Sequence, residues 1–387
     1  MDDGPKTPSV SPPEGSTGGL GRPGARLDDS PKTPSVSSPR GELRLLGTAR
    51  RSPDMKRSWL VPVTAGIALA LLPLLLTPYT HDMVVKISIY AIFALSLELL
   101  VGVTGLVSLG HAAFFGIGAF VTVLAAGQGS AASLCVLLPA AMLAAAAYAL
   151  FVGALSLRTQ GVYFIMVTLA FAQMAYFVFH DTKLAGGSDG IFLYTKPVLE
   201  LAGRTLLNLD LKRDMYYVVW AALVFTYGFL ALIQRSRFGH ALAGIRVNEQ
   251  RMRAAGFATY GYKLAAFVIA GALAGLAGSL LAIKDGAVNP ELLGWHESGA
   301  VLLMIILGGI GHLRGAVIGA VAFTLLKELF QSEALLGPLA AHWQMTLGFT
   351  IIAFVALLPK GLIGVGRKLA VRRAPAAVLV PSKAAHE

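Results

Sequence analysis

The sequence has little cysteine and little charge for its length. Cys135 is the only cysteine among 387 residues, which excludes an intrachain disulfide and any metal site built from several cysteines. Charged residues make up 14% of the chain and hydrophobic residues 55%, a balance too apolar for an ordinary soluble domain. The composition therefore predicts an all-α polytopic membrane protein.

The chain also lacks motifs that would supply its own chemistry. It has no G-x-x-x-x-G-K-[ST] phosphate loop and no H-E-x-x-H metal helix, because the sequence after His296 and Glu297 holds no second histidine at the required spacing. A membrane enzyme is therefore disfavoured, and no catalytic residue, metal or cofactor is predicted. A transporter that takes its energy from another protein is favoured instead.

The first 54 residues differ in composition from the rest. They are rich in Pro, Gly and Ser and nearly free of large apolar residues, which predicts a disordered N-terminal extension. Met55 is followed by two basic residues and an apolar run, so we hypothesise that Met55 is the functional initiator; a regulatory tail is the alternative. Residues 55–366 are then the transmembrane domain, and 367–387 form a basic cytoplasmic tail.

Apolar stretches predict about ten transmembrane helices. They lie at 59–77, 84–103, 106–126, 132–157, 162–180, 215–234, 264–284, 298–310, 315–330 and 343–358. Ten crossings place both termini on one side of the membrane, and basic residues flank both ends. These are Arg50, Arg51, Lys56, Arg57, Lys360, Arg367, Lys368, Arg372 and Arg373. Since Lys and Arg concentrate in cytoplasmic loops, we expect both termini in the cytoplasm of a bacterial inner membrane.

The same count of crossings assigns each charged loop to one side of the membrane. It places Arg158 and the segment 235–263 in the cytoplasm, and Asp82, the connection 285–297 and Glu333 outside. The net charge of +11 then reflects the positive-inside bias. It does not indicate a nucleic acid partner; the non-protein partner expected is membrane lipid.

The segment 235–263, called the basic loop from here on, is the strongest candidate for a contact with a partner. It holds six Lys or Arg residues and one acid, Glu249, between two spans. Its apolar residues recur at roughly helical spacing, and a glycine follows them as a helix stop. These are Ala241, Leu242, Ile245, Met252 and Ala255, followed by Gly256. The pattern predicts one short amphipathic cytoplasmic helix.

Glycines interrupt the third predicted span, where Ser108 and His111 stand in an apolar stretch, 102–120. Irregular backbone at membrane depth is tolerated where it is buried or lines a cavity. The stretch therefore either lines a substrate route, as discontinuous transporter helices do, or packs closely against other helices. For the glycines at 271, 275 and 278 the packing interpretation is preferred.

Polar residues in or beside the spans also have two interpretations. Glu98, the one acid well inside an N-terminal span, is either an ion or substrate contact or a neutral packing residue. Thr168 and Gln173 share a helix face and bind either a solute or a neighbouring helix. Ser188 and Asp189, in the outer GGSDG turn, meet an ammonium group or a partner, or are simply solvated.

Five ordered blocks carry a family resemblance. They are GLVSLGHAAFFGIGAF, GVYFIMVTLAFAQ, GGSDG, the run from NEQRMRAAGFATYGYK to AGLAGSL, and GGIGHLRGAVIGA. Over roughly residues 59–366 the chain resembles the LivM type of branched-chain amino acid permease. The resemblance implies a membrane subunit of an ATP-binding cassette importer. Its partners would be a LivH-type permease subunit, two cytoplasmic ATP-binding subunits, which alone use ATP, and a periplasmic solute-binding protein.

The resemblance also implies roles for particular residues. The basic loop would be the coupling loop, acting through Gly239, Leu242, Ile245, Arg246, Asn248, Glu249, Arg251, Met252, Arg253 and Gly256. From their places in and beside the spans, and not from the resemblance, the residues predicted for the translocation pathway are Glu98, Ser108, His111, Phe114, Thr168, Gln173, Ser188 and Asp189. Within the loop we expect Leu242, Ile245 and Met252 to dock on the ATPase. The arginines at 246, 251 and 253 would orient the contact; alternatively they serve only as topology determinants.

Departures from the family pattern keep alternative functions open. Glu98 stands where an asparagine is usual, and His312 and Ala316 replace the expected threonine and proline. A urea-type or amide-type permease is the nearest alternative, although the GGSDG turn favours amino acids over the GGNNG of that type. A stand-alone channel or ion-coupled carrier for a small polar solute, with Glu98 as its coupling acid, is the alternative from another class.

Overall fold

The structure of the chain is a computed structural model. The structure describes residues 77–127, 133–182, 186–193, 195–201, 204–332, 337–358 and 361–364, together with Gly66, Leu69, Ala70 and Pro73. The predicted extension 1–54, the initiator Met55, the tail 367–387 and most of the first predicted span, 59–77, lie outside these residues.

Helices dominate the described residues, because long apolar runs satisfy every backbone polar group within the segment. The α-helices are α1 (Pro78–Glu98), α2 (His111–Ala126), α3 (Leu134–Ser156), α4 (Val162–Asp181), α5 (Lys212–Arg235), α6 (Arg237–Val247), α7 (Glu249–Ala254), α8 (Thr259–Asp285), α9 (Trp295–Gly308), α10 (Leu313–Gln331) and α11 (Trp343–Leu357). A π-helical turn, Leu99–Thr104, continues α1. Short 3-10 helices occupy Gly187–Asp189, Pro290–Leu293 and Gly337–His342.

Among the described residues, six helices are long and apolar enough to cross a membrane. They are Tyr79–Thr104, Leu134–Ser156, Val162–Asp181, Lys212–Arg235, Thr259–Asp285 and Ala340–Gly364, and they correspond to the second, fourth to seventh, and tenth predicted spans. The third predicted span is α2, whose 16 residues extend about 24 Å, less than the hydrocarbon thickness of about 30 Å. A multi-pass fold with broken helices is thus confirmed.

The eighth and ninth predicted spans are α9 and α10, which meet at an angle of 115°; if the pair is one span, the number of crossings within the described residues rises to seven. Gly309 (φ 116°) and Gly311 (φ 92°) form the break, in a conformation that glycine adopts most readily. The break contacts the end of α1, where Glu98 accepts a hydrogen bond from Gly311. Near the end of α10, Glu328 accepts a hydrogen bond from Tyr79 at the start of α1, so α10 runs back along α1.

Helix α8 lies at the centre of the core. In its most apolar window 83% of the residues are buried, against 28% in α3 and 22% in both α4 and α5. A Cβ at Gly271 or Gly275 would crowd Ala149 or Ala145 of α3, and one at Gly278 would overlap the carbonyl of Phe115 in α2. The small residues of α8 therefore permit close helix packing, as predicted.

Short strands group the connections at one end of the helices. Strand β1 (Ile191–Phe192), after α4, pairs antiparallel with β4 (Ala287–Val288), after α8; Ile191 faces Val288. Strands β2 (Val198–Leu201) and β3 (Arg204–Asn208) pair antiparallel, with a register irregularity at Leu199 and Glu200. All four strands lie in connections that the count of ten spans predicts on the outer side of the membrane. At the opposite end α6 and α7 meet the π-helical turn and the start of α8.

Candidate functional site

The basic loop folds as two short helices rather than the single helix predicted. Ser236 caps α6 by accepting a hydrogen bond from the Gly239 N–H at 3.2 Å. Asn248 is extended (φ −158°, ψ 100°) and caps α7 by accepting from the Arg251 N–H at 2.9 Å. An amide at such a position competes with continuation of the helix and starts a new one. Gly256, with φ 87°, follows the end of α7, as predicted.

The apolar face of α6 packs inward. Leu242 and Ile245 are buried at 0% and 4% exposure within this chain, and Gly239 lies so close to the backbone of Ile233 and Gln234 that a Cβ would overlap it. The half-buried Met252 places its sulfur against Gly244, between α6 and α7. Leu242 and Ile245 are therefore covered by the rest of this chain, which argues against the docking role predicted for them, whereas for the half-buried Met252 that role stays a prediction.

The most exposed apolar side chain of the loop is at the bend between α6 and α7. Val247 is 84% exposed, the highest value among the exposed large hydrophobic residues of the described part of the chain. Ala243, Gln250 and Ala254 are exposed beside it, as are the arginines at 246, 251 and 253. Sequence analysis missed Val247, which lies outside the apolar stripe of α6. A β-branched apolar residue on a polar helix face was the available signal.

Glu249 joins α7 to the start of α8. Its carboxylate accepts hydrogen bonds from Lys263 and Arg253, both at 2.6 Å, and from the Thr259 hydroxyl at 3.1 Å. Lys263 is 8% exposed. Partial burial alone would raise the pKa of Glu249, but the hydrogen bonds from Lys263 and Arg253 outweigh it and hold this pKa below its usual value. The three side chains, with Thr259, form what we call the Glu249 network.

Arg246 and Glu98 form a second connection beside the loop. The Arg246 guanidinium donates to the carbonyl oxygen of Gly102, in the π-helical turn. Glu98 is fully buried, and its Oε1 accepts from the Gly311 N–H at 2.6 Å. Helix α6, the end of α1 and the α9–α10 break therefore meet here.

Four of the predicted pathway residues come together inside the membrane region. Ser108, His111, Phe114 and Thr168 are all buried. His111 Nε2 lies 2.8 Å from the Ser96 hydroxyl, and its ring packs on Phe93 and against the edge of Phe114. Gly110 fits against the Thr168 carbonyl with no room for a Cβ. We call Ser96, Phe93, His111 and Phe114 the His111 cluster; Nδ1 of His111 is buried without a hydrogen-bond partner among the described residues.

The other predicted pathway residues lie apart from this cluster. Gln173 is half-buried on α4, whereas Ser188 and Asp189 are exposed in a 3-10 turn. The letters GGSDG also fit a G-x-S-x-G nucleophile motif, but in that motif the serine sits between a strand and a helix. Here the turn follows a helix, and the Ser188 hydroxyl donates to Asp189 at 3.3 Å. Within the described residues no three His, Cys, Asp or Glu side chains are close enough to hold a metal ion.

Comparisons with known proteins agree with this architecture. A family profile described as "Branched-chain amino acid transport system / permease component" matches residues 79–356. LivM of Escherichia coli, a high-affinity branched-chain amino acid transport system permease protein, is 30% identical over 315 residues, covering 76% of this chain and 72% of LivM. LivM of Salmonella typhimurium is 29% identical with the same coverage.

A second type of permease is also similar. LivH of Salmonella typhimurium, a protein of the same kind of transport system, is 24% identical over 292 residues, covering 72% of this chain and 92% of LivH. No solved structure matches the chain.

Proposed function

The chain belongs to the permease family of branched-chain amino acid transport systems, and from that membership we propose that it forms half of the translocation pathway of an ATP-driven importer for branched-chain amino acids. The chain is a multi-pass transport protein and not an enzyme. Its proposed partners are a LivH-type permease subunit, two cytoplasmic ATP-binding subunits and a periplasmic solute-binding protein.

The observation that carries this proposal is the structure of the basic loop. The chain has no phosphate-binding loop of its own, so the energy of ATP hydrolysis must reach it through a contact with an ATP-binding partner. Val247 is exposed at the junction of α6 and α7. The buried side chains of Leu242 and Ile245 hold α6 against the rest of the chain. An exposed apolar side chain followed by the exposed Arg251 in the next helix suits a partner with an apolar pocket and an acidic rim. We assign the ATPase contact to Val247 with Arg251, and the support to Gly239, Leu242, Ile245 and Met252.

Charge supports the orientation of this loop. It holds six of the chain's Lys and Arg residues, and such residues favour the cytoplasmic side. The proposal therefore places the α6–α7 end in the cytoplasm, the β1–β4 end in the periplasm, and both termini in the cytoplasm of a bacterial inner membrane. Ser188 and Asp189 would then lie where a solute-binding protein docks.

The proposed mechanism is alternating access. Closure of the ATPases displaces α6 and α7, and the Glu249 network transmits the displacement to α8, which is 83% buried in its most apolar window. A ligand or partner shifts such an equilibrium only through a difference in its contacts with the two states. The buried His111 cluster and Thr168 face other protein groups in this conformation, so a pathway role for them requires the second state.

The test is reconstitution of the assembled importer in proteoliposomes. Leucine, isoleucine or valine delivered by the binding protein should stimulate ATP hydrolysis and enter the vesicles only when ATP is hydrolysed. Stimulation by urea but by none of the three amino acids would support the urea-type alternative. Uptake driven by an ion gradient without ATP would contradict the proposal and support the carrier.

A further inference from the structure

Three elements that are distant in sequence meet beside the basic loop. Arg246 of α6 donates to the carbonyl of Gly102. One turn before Gly102, Glu98 accepts from the N–H of Gly311 at 2.6 Å. Each contact crosses between elements, at sequence separations of 144 and 213 residues, so a movement of α6 has a continuous path to the α9–α10 break.

The backbone is shaped to admit both side chains. A Cβ at Gly102 would overlap the Glu98 carboxylate, and one at Gly105 would lie 3.0 Å from Cγ of Arg246. Gly105 ends the π-helical turn with φ 76°, which glycine adopts without strain. Any larger residue at Gly102 would displace the carboxylate, so this segment is built around the contact.

The chemistry of Glu98 is unsuited to packing alone. The residue is fully buried, and its Oε2 has no hydrogen-bond partner among the described residues. A half-satisfied buried carboxyl costs stability that an apolar residue of similar volume would not cost. The π-helical turn beside it is a rare conformation that occurs frequently at functional sites. Both features fit a contact that changes during function better than a static one.

The partner of Glu98 is a place where the chain can bend. Gly309 and Gly311 have positive φ values, and the helices on either side meet at 115°. A Cβ built at Gly311 would lie 3.9 Å from Nη1 of Arg246, so the guanidinium also reaches the break. The same two side chains therefore connect the loop to the hinge between α9 and α10.

We propose that Arg246 and Glu98 act as a latch that transmits movement of α6 to the α9–α10 break through the π-helical end of α1. The latch rests on the proposed function, since it needs a partner that moves α6. Both residues are positioning residues: Arg246 holds the Gly102 carbonyl, and Glu98 holds the Gly311 N–H. Opening and closing of the break would then follow the ATPase cycle.

The test uses the full chain in the assembled importer, with leucine as the transported probe. The variants are Glu98→Ala, Arg246→Ala, the double variant, and Glu98→Gln, which keeps an acceptor for the Gly311 N–H. Assembly, basal ATP hydrolysis and leucine uptake per ATP are measured for each. We expect E98A and R246A to assemble and hydrolyse ATP, but to lose uptake per ATP about tenfold, or roughly 1.4 kcal/mol of coupling.

Two comparisons separate a latch from general damage. The double variant should be no worse than either single variant, because both break the same path, and E98Q should retain most of the uptake per ATP. Arg237→Ala, which removes an exposed arginine from the first turn of α6, should behave like the wild type.

Additive losses, or normal uptake per ATP in R246A, would overturn the latch. Arg246 is exposed, so R246A should assemble even if E98A does not, and its result decides the matter alone. If the wild-type complex neither hydrolyses ATP nor imports leucine, the proposed function itself fails; if it does both and the variants match it, only the latch fails.

Discussion

The Glu249 network and the His111 cluster both contain buried polar groups, but their hydrogen bonds join different things. Glu249 of α7 binds Lys263 and Thr259 of α8, which connects a surface loop to the central helix. His111 binds Ser96, whose hydroxyl also donates to the Phe93 carbonyl within one aromatic cluster of the interior. The first set links a surface helix to the interior, whereas the second fixes the packing of neighbouring helices.

From this difference we expect the Glu249 network to serve coupling and the His111 cluster to serve stability. Residues of the Glu249 network should affect coupling more than stability, because they join a surface helix to α8 and the exposed Arg253 contributes little to folding. Residues of the His111 cluster should affect stability more than coupling, because burial makes every lost hydrogen bond costly. Substitutions in each region test the division directly.

The largest effect is expected at Lys263. Lys263→Met leaves Glu249 with Arg253 and Thr259 as its remaining partners and removes the charged link from α7 to α8, so leucine uptake per ATP should fall by more than about tenfold, the order expected for loss of a charged hydrogen bond. Lys284→Met is the matched control, since Lys284 lies at the other end of α8 and, among the described residues, pairs with its neighbour Asp285 at 2.6 Å. Equal losses in both variants would contradict a specific role of the network.

The next largest effect is expected at Val247. Val247→Asp puts a charge into the proposed apolar contact and should weaken co-purification with the ATP-binding subunits about tenfold or more, while Val247→Ala should weaken it less. Thermal stability should not change, because the side chain is 84% exposed. Phe192→Asp makes the same kind of change at an exposed residue of the opposite end and should leave ATPase binding intact. Normal co-purification of V247D would place the contact elsewhere.

A smaller effect of another kind is expected at His111. His111→Leu removes the hydrogen bond to Ser96 and should lower the free energy of unfolding by about 1–2 kcal/mol, measured by thermal unfolding in detergent. Uptake per ATP should stay at the wild-type value. If instead uptake falls while stability is unchanged, His111 belongs to the translocation pathway, and the division between the two regions does not hold.

The smallest effect is expected from pH. The pKa of Glu249 is lowered in the folded chain, so its contribution is fully present above the ordinary glutamate value of about 4.3 and is lost as pH falls through the lowered value. Unfolding temperatures measured from pH 6 to pH 3 should therefore drop less steeply in Glu249→Gln than in the wild type. Parallel curves would show that the pairing with Lys263 and Arg253 adds no stability.

Much of the fold follows from patterns that the sequence displays. Hydropathy located six spans, because a long helix in lipid needs only its own apolar side chains and internal hydrogen bonds. The spacing of Gly271, Gly275 and Gly278 predicted the close packing of α8, since small residues have few other uses at helical spacing.

The errors arose where a pattern has two physical outcomes. The apolar stripe of α6 indicated a buried face, but a sequence does not say whether the chain or a partner covers it, and here the chain covers Leu242 and Ile245. The bend at Asn248 was missed because the apolar spacing continues across it; its capping side chain was the signal to notice. The contact between Glu98 and Gly311 joins residues that are 213 positions apart in the sequence. It depends on tertiary structure and was not predictable from local sequence.

The most direct test of the account is a cross-linking measurement at the tip of the basic loop. p-Benzoylphenylalanine is placed at position 247, or at position 192 as the control, and the assembled importer is illuminated with and without ATP. We expect cross-links from position 247 to an ATP-binding subunit, with a yield that changes with nucleotide. We expect no cross-link from position 192 to that subunit. Absence of a cross-link from position 247 in a complex that hydrolyses ATP and imports leucine would contradict the claim that work enters through this loop.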